Sequence, residues 1–372
     1  MIEYVEVRGS DTNIIGIIDT ADSVIWHALY FGVGVFEIHA AATPEIIGLL
    51  KAGHYVTRPD NDAVGIIEKI NIPENIDDGA TITASGRFAK SLLERRLIYQ
   101  LTGSSNKATT LRGNVENAVR KVVNNNAIDC EFDSRRNIAV LALGDSANIP
   151  LTIVSVNGLP AEKQVSYKNL LTYTDGVLEE YGMSAKCILK GGKLRYTVYA
   201  GADRSRGNSS GNIPVVFSKE YDNLTSSEYT YDESTEINVA LIGGEGEGAG
   251  RFYSLIGEEV SGLQRREMYI DASSISKTYK DSNDVEQTYT DAEYKTMLDA
   301  EGRQEITPLV KTETFDGVLD VTNGNYIFGR DFFLGDIVTV ENNYIGKYIN
   351  VRICEVLECQ DENGYTVEIK YK

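Results

Sequence analysis

The residues best suited to proton transfer or metal binding near neutral pH are three histidines, His27, His39 and His54. All three fall in the first, strand-rich segment. No His-Glu-x-x-His run occurs, and no Asp or Glu stands at ligand spacing from them, so satisfied strand histidines are expected. The run Gly243-Gly-Glu-Gly-Glu-Gly-Ala-Gly250 invites a phosphate-loop reading. Such a loop needs Lys-Ser or Lys-Thr after its last glycine, and Ala249-Gly250 stands there instead. Glu245 and Glu247 would also place negative charge where a phosphate must sit. A glycine-permitted turn through Gly243, Gly244, Gly246 and Gly248, leaving a strand, is the expectation. Glu179-Glu180 and Glu258-Glu259 could be cast as glycosidase carboxylates, but such pairs are defined by separation in space, and solvated faces are expected. The string Gly207-Asn-Ser-Ser-Gly211 fits Gly-x-Ser-x-Gly but lies in what reads as a flexible connector, so no nucleophile elbow is expected. Cys130, Cys187, Cys354 and Cys359 are too few and scattered for a disulfide framework or a zinc knuckle, so four reduced thiols are expected. No catalytic residue, cofactor or metal is therefore expected.

Composition narrows the classes further. With 372 residues, 42% apolar and 24% charged, the chain should fold into two or more domains. Its 36 basic and 55 acidic residues give 36 − 55 = −19, which disfavours gripping nucleic-acid phosphates. DNA would at most pass nearby without specific binding. The basic clusters Arg87…Arg95-Arg96 and Arg265-Arg266 are expected to pair with the abundant acids, within or between subunits. The richest apolar run, Ile14 to Ile18, is strand-sized, so no membrane span is expected. Met1 to Arg8 alternates and carries acid, unlike a signal peptide, so synthesis in the cytoplasm is expected.

The elements that position these residues follow from periodicity. Strands are expected at Val24–Phe31 and Val33–Ile38, and a hairpin from Gly65–Ile72 to Ala80–Ala84 across Pro73…Asp77-Asp78-Gly79. Gly86 to Ile98 switches to a helical period with Phe88, Leu92, Leu93 and Leu97 on one face. A polar loop follows at 103–106. Helices are expected at Val115–Val123 and Tyr167–Tyr181, with a buried strand Ile138–Leu143 between them, then a hairpin over Lys186–Ala200 turning at Gly191-Gly192. Arg204 to Gly211 reads as a flexible connector. Strands resume at Pro214–Phe217 and Ile237–Ile242, and a helix near Asp291–Asp299 precedes a closing meander. In its last strand Tyr365, Val367, Ile369 and Tyr371 point one way, and Thr366, Glu368, Lys370 and Lys372 the other. Leu334-Gly335-Asp336 is a strand-entry turn in which Gly335 is free to take positive φ.

Three separated blocks resemble one family. The first is Ala63 to Ile70 with Ala84-Ser-Gly-Arg-Phe-Ala-Lys-Ser-Leu-Leu-Glu-Arg-Arg96. The second comprises Val216 to Leu224, Asn238 to Arg251 and Arg265 to Asp271, and the third is the Phe328-Gly-Arg-Asp-Phe-Phe-Leu-Gly-Asp336 run. Together they span most of the chain and are similar to the siphovirus tail-hub proteins typified by the ReqiPepy tail protein, which in turn resemble the baseplate hub of contractile tails.

That resemblance implies a β-rich α+β multidomain fold, with two tail-tube-like antiparallel β-barrel or sandwich domains flanking an α/β insertion. The implied domains are 1–104, completed by about 212–236; an insertion at 105–211; and 237–372, with a helical excursion near 290–300. Three copies would close a pseudo-sixfold ring at the tip of a virion tail or tail-like particle, assembled in the host cytoplasm. The implied partners are the chain itself as a homotrimer, tail-tube or distal baseplate proteins, and a tip spike or tape-measure protein. Some members carry a peptidase or lysin domain; this chain ends at Lys372, directly after the meander, so no such activity is expected. The expected assembly residues are the Gly243 to Gly248 turn, Leu334-Gly335-Asp336, and Arg87, Arg95 and Arg96 as intersubunit partners. Two alternatives come from other classes: a tail-associated cell-wall hydrolase using paired carboxylates, and a cell-surface carbohydrate-binding tail module, to which tyrosine-bearing strands are suited.

Overall fold

The computed structural model describes residues 2–75, 79–102, 105–106, 108–154, 161–280, 285–319 and 325–372. Asp77 and Asp78 of the expected hairpin turn, and Gly103 and Ser104 of the expected loop, lie outside these. The chain divides into two compact units, Met1–Glu228 with Phe315–Lys372, and Tyr229–Thr314.

The first unit opens with strands β1 (Val5–Arg8), β2 (Ile14–Ile18), β3 (Ala21–Leu29) and β4 (Val35–Ala41), then the short helix α1 (Pro44–Leu49). Strands β5 (Tyr55–Arg58), β6 (Asn61–Asn71) and β7 (Gly79–Phe88) follow, and β6 and β7 pair as the expected hairpin. Period-two alternation gives these strands one apolar face. Trp26, Phe36, Ile38 and Ala84 are at most 1% exposed and pack with Val5, Val7 and Ile82 into one core.

The stretch after β7 departs from expectation. Ala89–Arg95 is a 3₁₀ helix rather than an α-helix. Ala89, Lys90, Ser91, Leu92 and Leu93 are all buried in succession, which leaves no polar face for an amphipathic α period, while Leu97 is exposed. Helix α2 (Val115–Val123) and helix α3 (Leu170–Glu180) start at Asn114 and Asn169, whose side chains accept from the amides of Asn117 and Thr172 at 3.0 and 3.2 Å. Both helices share one core with the hairpin of β8 (Ser184–Lys190) and β9 (Lys193–Tyr199), a core that includes Val119, Leu170, Leu194 and Tyr196. The middle of the chain is thus α/β.

The second unit carries β10 (Val239–Gly243), antiparallel to β11 (Tyr253–Ile256) and parallel to β12 (Glu267–Asp271). Ala240, Ile242, Ile256 and Ile270 form its core with Tyr294 and Leu298 of α4 (Asp291–Ile306). A reciprocal cap between Thr290 and Glu293 starts α4, which runs one to two turns beyond the expected end near Asp299.

Back in the first unit, β13 (Ile337–Asn342), β14 (Lys347–Asp361) and β15 (Gly364–Tyr371) form the closing meander. It does not stand apart: β14 pairs with β3, so these strands join one 15-stranded sheet with β8–β6–β7–β4–β3–β14 along its middle. Strands β5, β1 and β2 extend it beyond β6. Among the described residues no ladder joins the ends of this sheet. The architecture is therefore β-rich with several sheets, as expected; of the barrel or sandwich domains expected, no closed barrel is found among the described residues. The 15 residues of β14 pair with β13 over Lys347–Arg352, with β15 from Ile353 and with β3 from Glu355, the β15 register shifting between Ile353 and Glu355, so the sheet branches there.

Candidate assembly site

The Leu334-Gly335-Asp336 turn is a junction. Gly335 takes φ 95°. A Cβ there would lie 2.2 Å from the Tyr30 ring, so both the dihedral and the space call for glycine. Its amide donates to the Ile353 carbonyl at 2.8 Å, and its own carbonyl accepts from Arg352 Nη1 at 2.6 Å. Asp336 is buried and accepts from three donors: the Ala202 amide at 2.7 Å, Arg204 Nε at 2.8 Å and the Phe333 amide at 3.0 Å. Leu334, beside it, is half-buried. The segment Arg204 to Gly211, expected to be flexible, is held here as well. The Arg206 amide donates to Thr339 Oγ1 at 2.8 Å and the Val215 amide to the Arg204 carbonyl at 2.9 Å.

A second junction ties β5 to the meander. Arg58, with its side chain 1% exposed, donates twice to Glu358 at 2.9 and 3.0 Å and twice to Asp60 at 2.6 and 3.0 Å. Its guanidinium lies 5.4 Å from the Trp26 ring centroid. Burial opposes the charge, but the hydrogen bonds to Asp60 and Glu358 outweigh it and raise the Arg58 pKa. The Tyr365 hydroxyl donates to Glu358 at 2.6 Å, and its pKa is raised by burial and by that carboxylate. Arg58, Asp60, Glu358 and Tyr365 line a cleft of about 830 Å³ that also takes in Lys90, Phe333 and Leu334.

The remaining expected residues are placed apart. Arg87 donates to Glu68 at 2.8 and 3.0 Å and also pairs with Glu94, while Arg95 approaches Glu68 at 3.8 Å. Glu68 is the residue skipped where the β6–β7 register shifts between Ile67 and Lys69, a bulge that turns its carboxylate toward Arg87. Arg96 turns elsewhere and donates to the Arg136 carbonyl at 2.6 Å. In the second unit, Gly243 and Gly244 are buried at the end of β10, and Gly246, at φ 107°, bends the chain toward β11. Glu245 accepts from the Lys277 amide at 2.7 Å, and Gly248 begins a 3₁₀ turn. Within the first unit, Arg87 and Arg95 share one cluster and Arg96 another.

The hydrogen bond from Arg87, assisted by the charge of Arg95, lowers the Glu68 pKa. A lowered carboxylate contributes stability above its unfolded pKa and loses it as pH falls through the folded one. Arg87→Ala should therefore return the Glu68 titration toward the ordinary carboxylate range by NMR. At neutral pH it should cost at most about 1 kcal/mol in a denaturant melt, because the pair is partly exposed.

The other chemical groups are accounted for locally. His27 Nε2 lies 2.8 Å from Glu355, His39 Nε2 lies 2.6 Å from Glu37, and His54 Nδ1 lies 2.8 Å from the Leu49 carbonyl. The four cysteines are free, and burial pushes the Cys187 thiol up to about 12. Glu180 is held by Lys163 at 2.8 Å, and Glu258 and Glu259 are exposed. Among the described residues no group of three or more His, Cys, Asp or Glu side chains could hold a metal ion. No described helix is long and apolar enough to cross a membrane.

Residues 4–371 match the model of the family described as Siphovirus ReqiPepy6 Gp37-like protein. The chain belongs to that family. The resemblance read from the three sequence blocks is thereby borne out across nearly the whole Gp37-like chain. No protein of curated function matches it. Among solved structures, the tail protein from Neisseria meningitidis MC58 is similar at 13% identity and TM-score 0.55, over 99% of this chain and 96% of that one. The 43 kDa tail protein of prophage MuSo2 from Shewanella oneidensis is similar at 11% identity and TM-score 0.55, over 99% and 97%. Prophage tail protein gp18 from Listeria monocytogenes EGD-e is similar at 12% identity and TM-score 0.51, over 99% and 94%. The Gp37-like chain thus shares its fold with phage tail proteins.

Sequence reading missed the Arg58 junction in this Gp37-like chain. The available signal was Glu358, an acid two residues after buried Val356 on the inward side of an alternating strand. Such a position demands a buried cation.

Proposed function

We propose that this Gp37-like chain is a non-enzymatic structural subunit of a phage tail or phage-derived tail-like particle. In this reading it forms the trimeric hub at the distal tip, adapts the sixfold tube to a threefold end and contributes part of the channel. The family match over residues 4–371, joined to the tail-protein fold over 99% of the chain, carries the reading. One physical feature supports the trimer. Strand β2 pairs only with β1 among the described residues, yet Ile14, Ile15 and Ile17 on it are 49, 45 and 53% exposed. An apolar edge without Lys, Pro or an inward charge invites strand pairing, and a sister copy would cover it.

In the assembled ring the first lobe is 1–104 completed by about 212–236, the insertion is 105–211, and 237–372 supplies the second lobe while its closing strands also pair into the sheet of the first. Partners are two further copies, tube or baseplate proteins, and a spike or tape-measure protein. Arg87, Arg95 and Arg96, the Gly243 to Gly248 turn and the Leu334-Gly335-Asp336 turn are the assembly residues. Size-exclusion chromatography with light scattering should return three times the chain mass. A stable monomer that never enters tail particles would refute the trimer. Clearing of purified cell wall, lost on a single Glu→Gln change, would favour the hydrolase reading instead.

A further inference from the structure

Resting on the ring proposed above, we infer that neighbouring copies dock through two unlike surfaces. The acidic loop 257–266 in the second unit of one copy sits on an arginine patch beside Leu97 in the first unit of the next. The patch is marked by charge left over. The chain carries 55 acidic and 36 basic residues, yet Arg96 and Arg136, which adjoin, have no carboxylate partner among the described residues. Arg96 donates to the Arg136 and Arg95 carbonyls at 2.6 and 3.0 Å. Arg136 donates to the Leu97 carbonyl, to the Tyr99 carbonyl at 3.3 Å and to Asn126 Oδ1 at 3.4 Å. Burial and the neighbouring charges of Arg136 and Arg95 lower the Arg96 pKa, as expected of a cation without an anion.

Apolar surface adjoins this charge. Leu97 is 49% exposed, and Tyr167, 65% exposed, has its amide donating to the carbonyl of the next residue, Ile98, at 2.7 Å. Arginine and tyrosine are enriched where proteins meet, and the complement of this patch is acid carried beside an apolar tip. The loop between β11 and β12 carries that combination. Leu263 is 98% exposed, more than any other large apolar side chain among the described residues. Glu258 and Glu259 are exposed and have no partner among the described residues. The loop is nevertheless held in shape. Arg265 Nη1 donates to the Val260 carbonyl at 2.8 Å, Asn238 Nδ2 to the Gln264 carbonyl at 2.7 Å, and Gly262 takes φ 64° at the turn. A loop fixed beforehand loses little freedom on docking. Because patch and loop are different surfaces, their contact runs head to tail and can repeat around an axis until it closes.

Cross-linking between two populations tests this. Leu97→Cys and Leu263→Cys are made as separate proteins, each with Cys354 and Cys359 replaced by serine; Cys130 and Cys187 are buried. Co-assembled and treated with a short bismaleimide, the two should give a covalent dimer on a denaturing gel, and neither alone should. A trimer by light scattering that yields no mixed dimer would overturn the docking and leave the ring standing; a monomer would overturn both. Glu258→Lys with Glu259→Lys, at exposed positions, should raise the dissociation constant of the assembly about tenfold, and adding Arg96→Glu should recover most of that loss. An assembly unchanged by the two lysines would overturn the docking and assign the patch to a different protein. The lysine variant alone decides this where Arg96→Glu fails to fold.

Discussion

Replacing Glu358 with alanine should lower the unfolding free energy by about 3–5 kcal/mol, the cost of leaving one member of a buried ion pair without its partner. Arg58 sits beneath it with a side chain 1% exposed and would keep only Asp60, whose side chain is 48% exposed. The Tyr365 hydroxyl would lose its acceptor too. A denaturant melt followed by circular dichroism reads the loss as a drop in midpoint with little change in slope. The paired replacement Arg58→Met with Glu358→Leu separates charge from packing. It should recover most of the loss, since a well-packed apolar pair often matches a buried ion pair. Equal destabilisation by the single and the double variant would show that shape, not the unpaired charge, governs this junction.

Asp336→Ala should be nearly as severe, about 3–5 kcal/mol, because three donors converge on one buried carboxylate and each buried donor left unmet costs about 1–3 kcal/mol. Water entering the new space would offset part of that sum. The loss should be local in character. Hydrogen exchange at the amides of Ala202 and Phe333 should accelerate before that of the β3–β4 core, since these amides donate directly to Asp336. Asp336→Asn tests the role of charge: it keeps one acceptor oxygen but presents an amide to the amide or guanidinium donor on the other side, and should recover only part of the stability. Wild-type stability in Asp336→Ala would remove the turn from the set of structural junctions.

Much of the fold was legible because alternation and helical period are local signals. Val115–Val123 forms the expected helix, and the closing strand Gly364–Tyr371 buries Ile369 and Tyr371 as its pattern requires. What sequence could not show was partnership across long separations. Strand β14 pairs with β3 across more than three hundred residues, and Arg58 finds Glu358 at a separation of 300. Periodicity carries no information about which distant strand completes a sheet. The Ala89–Arg95 segment was misread for a related reason. Burial of Lys90 against Asp175 of α3 at 2.9 Å is a tertiary demand that overrides the helical pattern. The Arg87 cluster was visible as charge, but its engagement with Glu68 depends on a bulge that no local pattern announces.

A reconstruction of the tail tip with this chain in place decides the reading at its root. Three copies around the axis should appear, with the Ile14–Ile18 edge covered by protein. One self-sufficient copy per particle, or three copies whose isoleucine edge stays open to solvent, would contradict it.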